Sequence, residues 1–146
     1  MRTLIVPVLL LGAVLAALAQ VDTEFTAWMK SANTAWENLR KADGPAGVEA
    51  VRSAERLGGI YENMIEFWRQ RNAVKAVEWS EQGKAAAVQL ASAANSGDAA
   101  KAAAAQKVLD GTCRSCHEAY REKLPGGGYR ILDQSSARVK TSKGPR

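Results

Sequence analysis

Cysteine and histidine are scarce in this chain. Its 146 residues include two cysteines and one histidine, and all three lie between residues 113 and 117. A structural zinc site needs four ligands, so carboxylates would have to complete one here. A thioredoxin-type redox pair needs a βαβ context, and no segment alternates apolar and polar residues as a half-buried strand does. The scarcity concentrates any site chemistry in one segment, residues 110–123.

The chain also lacks an excess of charge over most of its length. Fourteen basic and fourteen acidic residues lie within residues 20–124, and the formal charge of +5 comes from Arg2 and the last 22 residues. A neutral body offers no basic face to a phosphate backbone, which argues against nucleic-acid binding. We predict that residues 125–146, basic and rich in glycine, form a flexible tail.

No apolar run is long enough to span a bilayer, which takes about 20 residues. The longest, residues 4–18, follows Arg2 and closes on an Ala-Leu-Ala triplet at 17–19, typical of a signal-peptide cleavage site. We therefore predict a secretory signal peptide over residues 1–19 and a mature chain that begins at Gln20. The expected location is the periplasm, with no stable membrane anchor after cleavage.

Apolar residues recur at helical spacing in four segments, residues 23–41, 48–68, 73–95 and 99–124. The sequence DGPAG at 43–47 separates the first two, and Asp98 is placed to cap the fourth. Short connections between amphipathic helices favour antiparallel neighbours. The predicted fold class is all-α, an antiparallel up-down-up-down four-helix bundle over residues 20–124.

Cys113, Cys116 and His117 form the sequence C-x-x-C-H, the spacing used to attach haem covalently. On a helix these positions share one face, so two thioethers can hold the haem edge while the imidazole reaches the iron. A disulfide between the cysteines would be strained within one helical turn and would leave His117 without a role. The predicted cofactor is one covalently attached haem c, with His117 as the proximal iron ligand.

The motif lies so late in the chain that an earlier helix must supply the other wall of the haem pocket. In an antiparallel bundle the start of the first helix lies beside the end of the fourth. At 1.5 Å per residue, Met29 and His117 both lie roughly 10 Å from that end of the bundle. Met64 on the second helix lies at a similar height, so helix positions alone do not choose between the two methionines.

The segment CRSCHEAYREK (113–123) resembles the class II c-type cytochromes, which comprise cytochrome c′ and the cytochrome c-556 type. The resemblance implies a four-helix bundle with the haem motif on its last helix, with Tyr120 and Arg121 near the haem. It also implies that the first helix supplies the distal residue. That residue is a methionine in six-coordinate electron carriers, or an apolar side chain that does not bind iron in five-coordinate cytochrome c′.

By this resemblance we expect Met29 rather than Met64 as the distal ligand. The expected function is a periplasmic monohaem cytochrome that transfers single electrons between redox partner proteins, with iron held by His117 and Met29. The alternative is a five-coordinate cytochrome c′ that binds nitric oxide or carbon monoxide. A peroxidase is disfavoured because no second histidine is present as an acid-base group. The sequence leaves open a homodimer, and haem contacts by Trp28, Trp36, Trp68 or Trp79.

Overall fold

The structure, a computed structural model, describes residues 5–41 and 46–138, with side chains from residue 23 onward. Its four helices are α1 (Ile5–Lys41), α2 (Val48–Gln70), α3 (Val74–Asn95) and α4 (Ala99–Tyr120). Each packs against the next along the chain. The predicted four-helix bundle is confirmed. Residues 1–4 and the side chains of the predicted signal peptide lie outside the described residues.

A cluster of aromatic rings joins all four helices at one end of the bundle. The ring of Phe25 in α1 lies 4.2 Å from that of Phe67 and 5.5 Å from that of Trp68, both at the end of α2. Trp68 lies 4.8 Å from Tyr120 at the end of α4, and Tyr120 lies 6.3 Å from Trp79 near the start of α3. The ends of α2 and α4 therefore lie here with the start of α3, as antiparallel packing requires. Phe25 lies in the middle of α1, because that helix extends back to Ile5 rather than beginning near residue 23 as predicted.

Two short turns set the antiparallel packing of α2, α3 and α4. Asn72 takes a left-handed conformation (φ 53°) between α2 and α3, which asparagine tolerates better than most residues. Asp98 caps α4 as expected: its carboxylate accepts a hydrogen bond from the Lys101 backbone N–H at 3.0 Å. Within the described residues, no helix is long and apolar enough to cross a membrane.

The fourth helix ends at Tyr120 rather than at residue 124, and a hairpin follows it. Strand β1 (Arg121–Lys123) pairs antiparallel with β2 (Tyr129–Ile131). The turn between them contains Gly127 and Gly128 with φ of 90° and 77°, values that glycine adopts without strain. Sequence periodicity misses strands of three residues, and the structure here differs from the expected flexible tail. Residues 139–146 lie outside the described residues.

Candidate haem site

The three residues of the C-x-x-C-H motif lie in the last two turns of α4. Cys116 is buried, whereas Cys113 and His117 are half-buried, so the motif faces a partly open side of the helix. Both cysteines are free thiols. Among the described residues, no three His, Cys, Asp or Glu side chains are grouped to hold a metal ion. This part of the chain therefore contains no ligand set for zinc.

Burial sets the protonation of this cluster. It raises the pKa of Cys116 to about 12 and also raises that of Cys113, the latter opposed by a hydrogen bond with Tyr61. Because the thiolate is the form that attacks disulfides, both thiols are poor nucleophiles near neutral pH. Burial, and then the charge of Arg121, lowers the pKa of His117. The neutral imidazole that results is the form that ligates a metal.

Cys113 is held in place from a neighbouring helix. The hydroxyl of Tyr61 in α2 lies 2.9 Å from Thr112 Oγ1 and 3.2 Å from Cys113 Sγ. The Tyr61 ring crosses α3 at Gly83, where an added Cβ would lie 2.3 Å from the ring carbon that bears the hydroxyl. Tyr61 is otherwise an ordinary apolar-stripe residue in the sequence. A glycine in the middle of the predicted third helix was the one signal of this close approach.

Helix α1 presents an apolar stripe that is only partly covered. Phe25, Ala35 and Leu39 are buried, but the residues between them on the same stripe are half-buried: Trp28, Met29, Ala32 and Trp36. Helix α1 packs on α2, and the described residues show no comparable packing of α1 on α4. The half-buried apolar side chains of this stripe are the kind of surface that a flat apolar group can cover.

Tyr120 and Arg121, expected near the haem, have separate surroundings. Tyr120 is buried among the aromatic rings and donates a hydrogen bond to Gln134 Oε1 at 2.9 Å. Arg121 is exposed, and its guanidinium lies 4.4 Å from the centre of the Tyr129 ring. Its positive charge still acts on the site. It adds to the lowering of the His117 pKa and partly opposes the rise that burial causes in the Cys116 pKa.

The four tryptophans differ in burial. Trp68 is 1% exposed, and its indole Nε1 is a buried donor that has no hydrogen-bond partner among the described side chains and backbone. Its ring contacts that of Tyr120 at a tilt of 45°, and Tyr120 lies one turn from His117. An acceptor carried by a bound group would satisfy this nitrogen. Trp28, Trp36 and Trp79 are half-buried at the edge of the core.

These observations fit a haem. Two thiols and a neutral imidazole lie on one helix face, an apolar stripe lies partly uncovered on α1, and a buried indole N–H near the motif lacks an acceptor. Cys113 and Cys116 would hold the porphyrin through thioethers, and His117 would bind its iron.

Comparison with known proteins supports the same cofactor. A family model described as Cytochrome C' matches residues 60–121. Cytochrome c' of Pararhodospirillum photometricum is 36% identical over 97 residues, 56% of this chain and 78% of that protein. Cytochrome c' of Rhodospirillum rubrum is 32% identical over 77 residues, 53% of this chain and 46% of that protein. This chain belongs to the cytochrome c′ family. No solved structure matches it with comparable significance.

Membership in the cytochrome c′ family confirms the cofactor and the resemblance to class II c-type cytochromes. Covalently attached haem c is the cofactor of this family. The family match spans α4 to Arg121, including the whole C-x-x-C-H motif. It includes neither α1 nor the hairpin beyond Arg121, so the family model does not describe these two parts of the chain.

One prediction is wrong. The expected electron carrier, with His117 and Met29 both on the iron, belongs to the six-coordinate class, whereas the family model and both relatives are cytochromes c′. They favour the five-coordinate alternative, in which the first helix supplies no ligand. Met29 is then one of the half-buried side chains that pack against the core, as inward methionines commonly do. Met64 is buried in α2.

Proposed function

We propose that this cytochrome c′ is a five-coordinate haem protein that binds nitric oxide or carbon monoxide. The observation that carries the proposal is the half-buried C-x-x-C-H face of α4, together with the half-buried apolar stripe of α1, in a chain related to cytochromes c′. When bound, the haem supplies an iron with one vacant coordination position, where a diatomic gas can bind. The protein supplies attachment, the proximal ligand and the surroundings.

Cys113 and Cys116 hold the haem covalently, so it stays on α4 through changes of ligand. His117 is the proximal ligand, and its lowered pKa keeps the imidazole neutral and available to the iron. Arg121 places a positive charge one turn away. This charge disfavours protonation of His117.

The α1 stripe forms the distal wall. Its half-buried side chains, among them Trp28 and Ala32, are apolar, so the distal side offers few partners to water or to anions. Neutral diatomic molecules lose little hydration free energy on entering such a pocket. Selection for nitric oxide and carbon monoxide over water follows from this polarity and from the absence of a protein ligand on the distal side.

The chain performs no bond-making reaction in this proposal. Its one histidine is used as the proximal ligand, so no distal histidine is left as a general acid or base. A redox partner protein that donates single electrons is part of the proposal, because carbon monoxide binds the reduced iron. We further propose a periplasmic location, reached through a signal peptide over residues 1–19.

The test is the visible spectrum of the purified holoprotein in both oxidation states, followed by titration with carbon monoxide. We expect a high-spin reduced spectrum that converts on addition of the gas. A low-spin spectrum with a methionine-to-iron charge-transfer band, unchanged by carbon monoxide, would overturn the proposal. The pyridine haemochrome of the same sample reports whether two thioethers are present.

A further inference from the structure

We propose that Tyr61 positions the haem: in the holoprotein its hydroxyl donates a hydrogen bond to the thioether sulfur of Cys113. The inference rests on the proposed function, because it takes Cys113 as a thioether. It concerns a residue of α2 that touches the motif from outside α4. The hydroxyls of Tyr61 and Thr112 and the sulfur of Cys113 are neighbours, and the positions of their protons determine which group donates.

Tyr61 is built into this position. Its side chain and that of Thr112 are each 5% exposed. The hydroxyl lies 2.9 Å from Thr112 Oγ1 and 3.2 Å from Cys113 Sγ, and the ring fits only because residue 83 has no Cβ. The ring is therefore fixed by α3, and its hydroxyl cannot leave Cys113 without breaking core packing.

The free thiol gives a complete chain of hydrogen bonds. Thr112 Oγ1 lies 2.9 Å from the carbonyl oxygen of Leu109 and donates to it. Tyr61 then donates its single proton to Thr112, and the Cys113 thiol donates to the Tyr61 oxygen. Each hydroxyl and thiol proton has an acceptor, and the hydrogen bonds all point from the sulfur toward the α4 backbone.

Attachment of haem removes the first proton of that chain. The Cys113 S–H adds across a haem vinyl group, so the sulfur bonds to one vinyl carbon, the hydrogen bonds to the other, and no oxidant or reductant is consumed. The sulfur can then only accept. With the chain unchanged, the Tyr61 oxygen and the sulfur would face each other as two acceptors with no proton between them, in a buried site.

Reversal of the direction of these hydrogen bonds removes this conflict. The Leu109 carbonyl lies in the helix interior, where the backbone N–H four residues later already satisfies it. Thr112 can therefore turn its hydroxyl toward Tyr61, and Tyr61 can donate to the sulfur. The new bond fixes the rotamer of Cys113, and with it the haem edge. It also withdraws electron density from that edge, which favours the reduced iron.

The test compares three holoprotein variants by redox titration and pyridine haemochrome. Tyr61→Phe keeps the ring and should retain two thioethers, with a reduction potential shifted downward. Thr112→Val leaves the Tyr61 proton on the sulfur, so the potential should stay close to that of the parent protein. Tyr129→Phe removes a hydroxyl from a side chain that is 58% exposed and serves as the matched control, with no shift.

A Tyr61→Phe holoprotein with two thioethers and an unchanged potential would overturn the proposal and leave the proposed function intact. An equal shift in Thr112→Val would also overturn it, because loss of packing would then explain the effect. A parent protein without covalent haem would instead refute the proposed function. If Tyr61→Phe does not fold, the C–S stretching band of the parent holoprotein in H₂O and D₂O decides: it should shift on deuteration, and a band that does not shift excludes the hydrogen bond.

Discussion

The backbone N–H of Arg138 lies 2.9 Å from the carbonyl oxygen of Ala119, in the last turn of α4. The N–H of Leu132 lies 2.8 Å from the carbonyl oxygen of Tyr120. The last four carbonyls of a helix have no partner within it, and here the chain beyond the helix returns to satisfy two of them. The C-terminal segment thus caps the helix that carries the haem motif.

Leu132 is 6% exposed, and its backbone N–H is bound to Tyr120 at the end of α4. We expect Leu132→Ala to lower the free energy of unfolding by about 2 to 3 kcal/mol, the loss of apolar burial plus the cavity left behind. Chemical denaturation of the holoprotein measures it. Val74→Ala, at a site 63% exposed, is the control and should cost less than about 0.5 kcal/mol. Equal effects of the two variants would mean that the hairpin does not dock on α4.

Gly83 is required by the Tyr61 ring, as the distance of 2.3 Å from an added Cβ to the ring shows. Alanine improves helix propensity by about 1 kcal/mol, yet we expect Gly83→Ala to destabilise the protein by about 1 to 3 kcal/mol through overpacking. Thermal unfolding measures the change. Gly59→Ala is the matched control, because its Cβ would meet nothing within 4 Å, and it should stabilise α2.

A double variant tests the cause of that loss. In a Tyr61→Leu background the ring is gone, so Gly83→Ala should cost much less than it does in the parent protein. If its cost is the same in both backgrounds, contact with Tyr61 is not the reason for glycine at this position.

Local signals in the sequence were sufficient for the bundle. The periodicity of apolar residues predicted four helices, and Asp98 was recognised as a cap because a side-chain acceptor before a helix acts locally. The C-x-x-C-H spacing indicated the haem for the same reason, since three residues on one helical face need no knowledge of the rest of the fold.

Contacts between distant residues were not predictable in this way. The meeting of Tyr61 with Cys113 joins residues 52 positions apart and depends on how α2, α3 and α4 pack. The hairpin was missed because its strands have three residues each, too short for a period of two to show. The expected position of Met29 along the first helix, level with His117, does not establish that its side chain binds iron.

The N-cap of α4 should show a defined pH dependence. Hydrogen bonds from Lys101 lower the pKa of Asp98 from 3.8, so its charge contribution is complete above that value and is lost as the pH falls through the lower folded value. Asp98→Asn keeps a capping oxygen but cannot ionise. We expect its melting temperature to lie below that of the parent protein at neutral pH, with the difference closing below pH 3.8. A difference that is constant with pH would show that the charge contributes nothing.

Met29 provides the sharpest test of the five-coordinate site. Leucine has a similar volume and no sulfur, so Met29→Leu should cost less than about 1.5 kcal/mol of stability and leave the visible spectrum of the haem unchanged in both oxidation states. Met64→Leu should behave in the same way. His117→Gly is the contrasting variant: it removes the proposed proximal ligand, so the spectrum should change, and added imidazole should restore it. A change of spin state in Met29→Leu alone would return that methionine to the iron and refute the five-coordinate assignment.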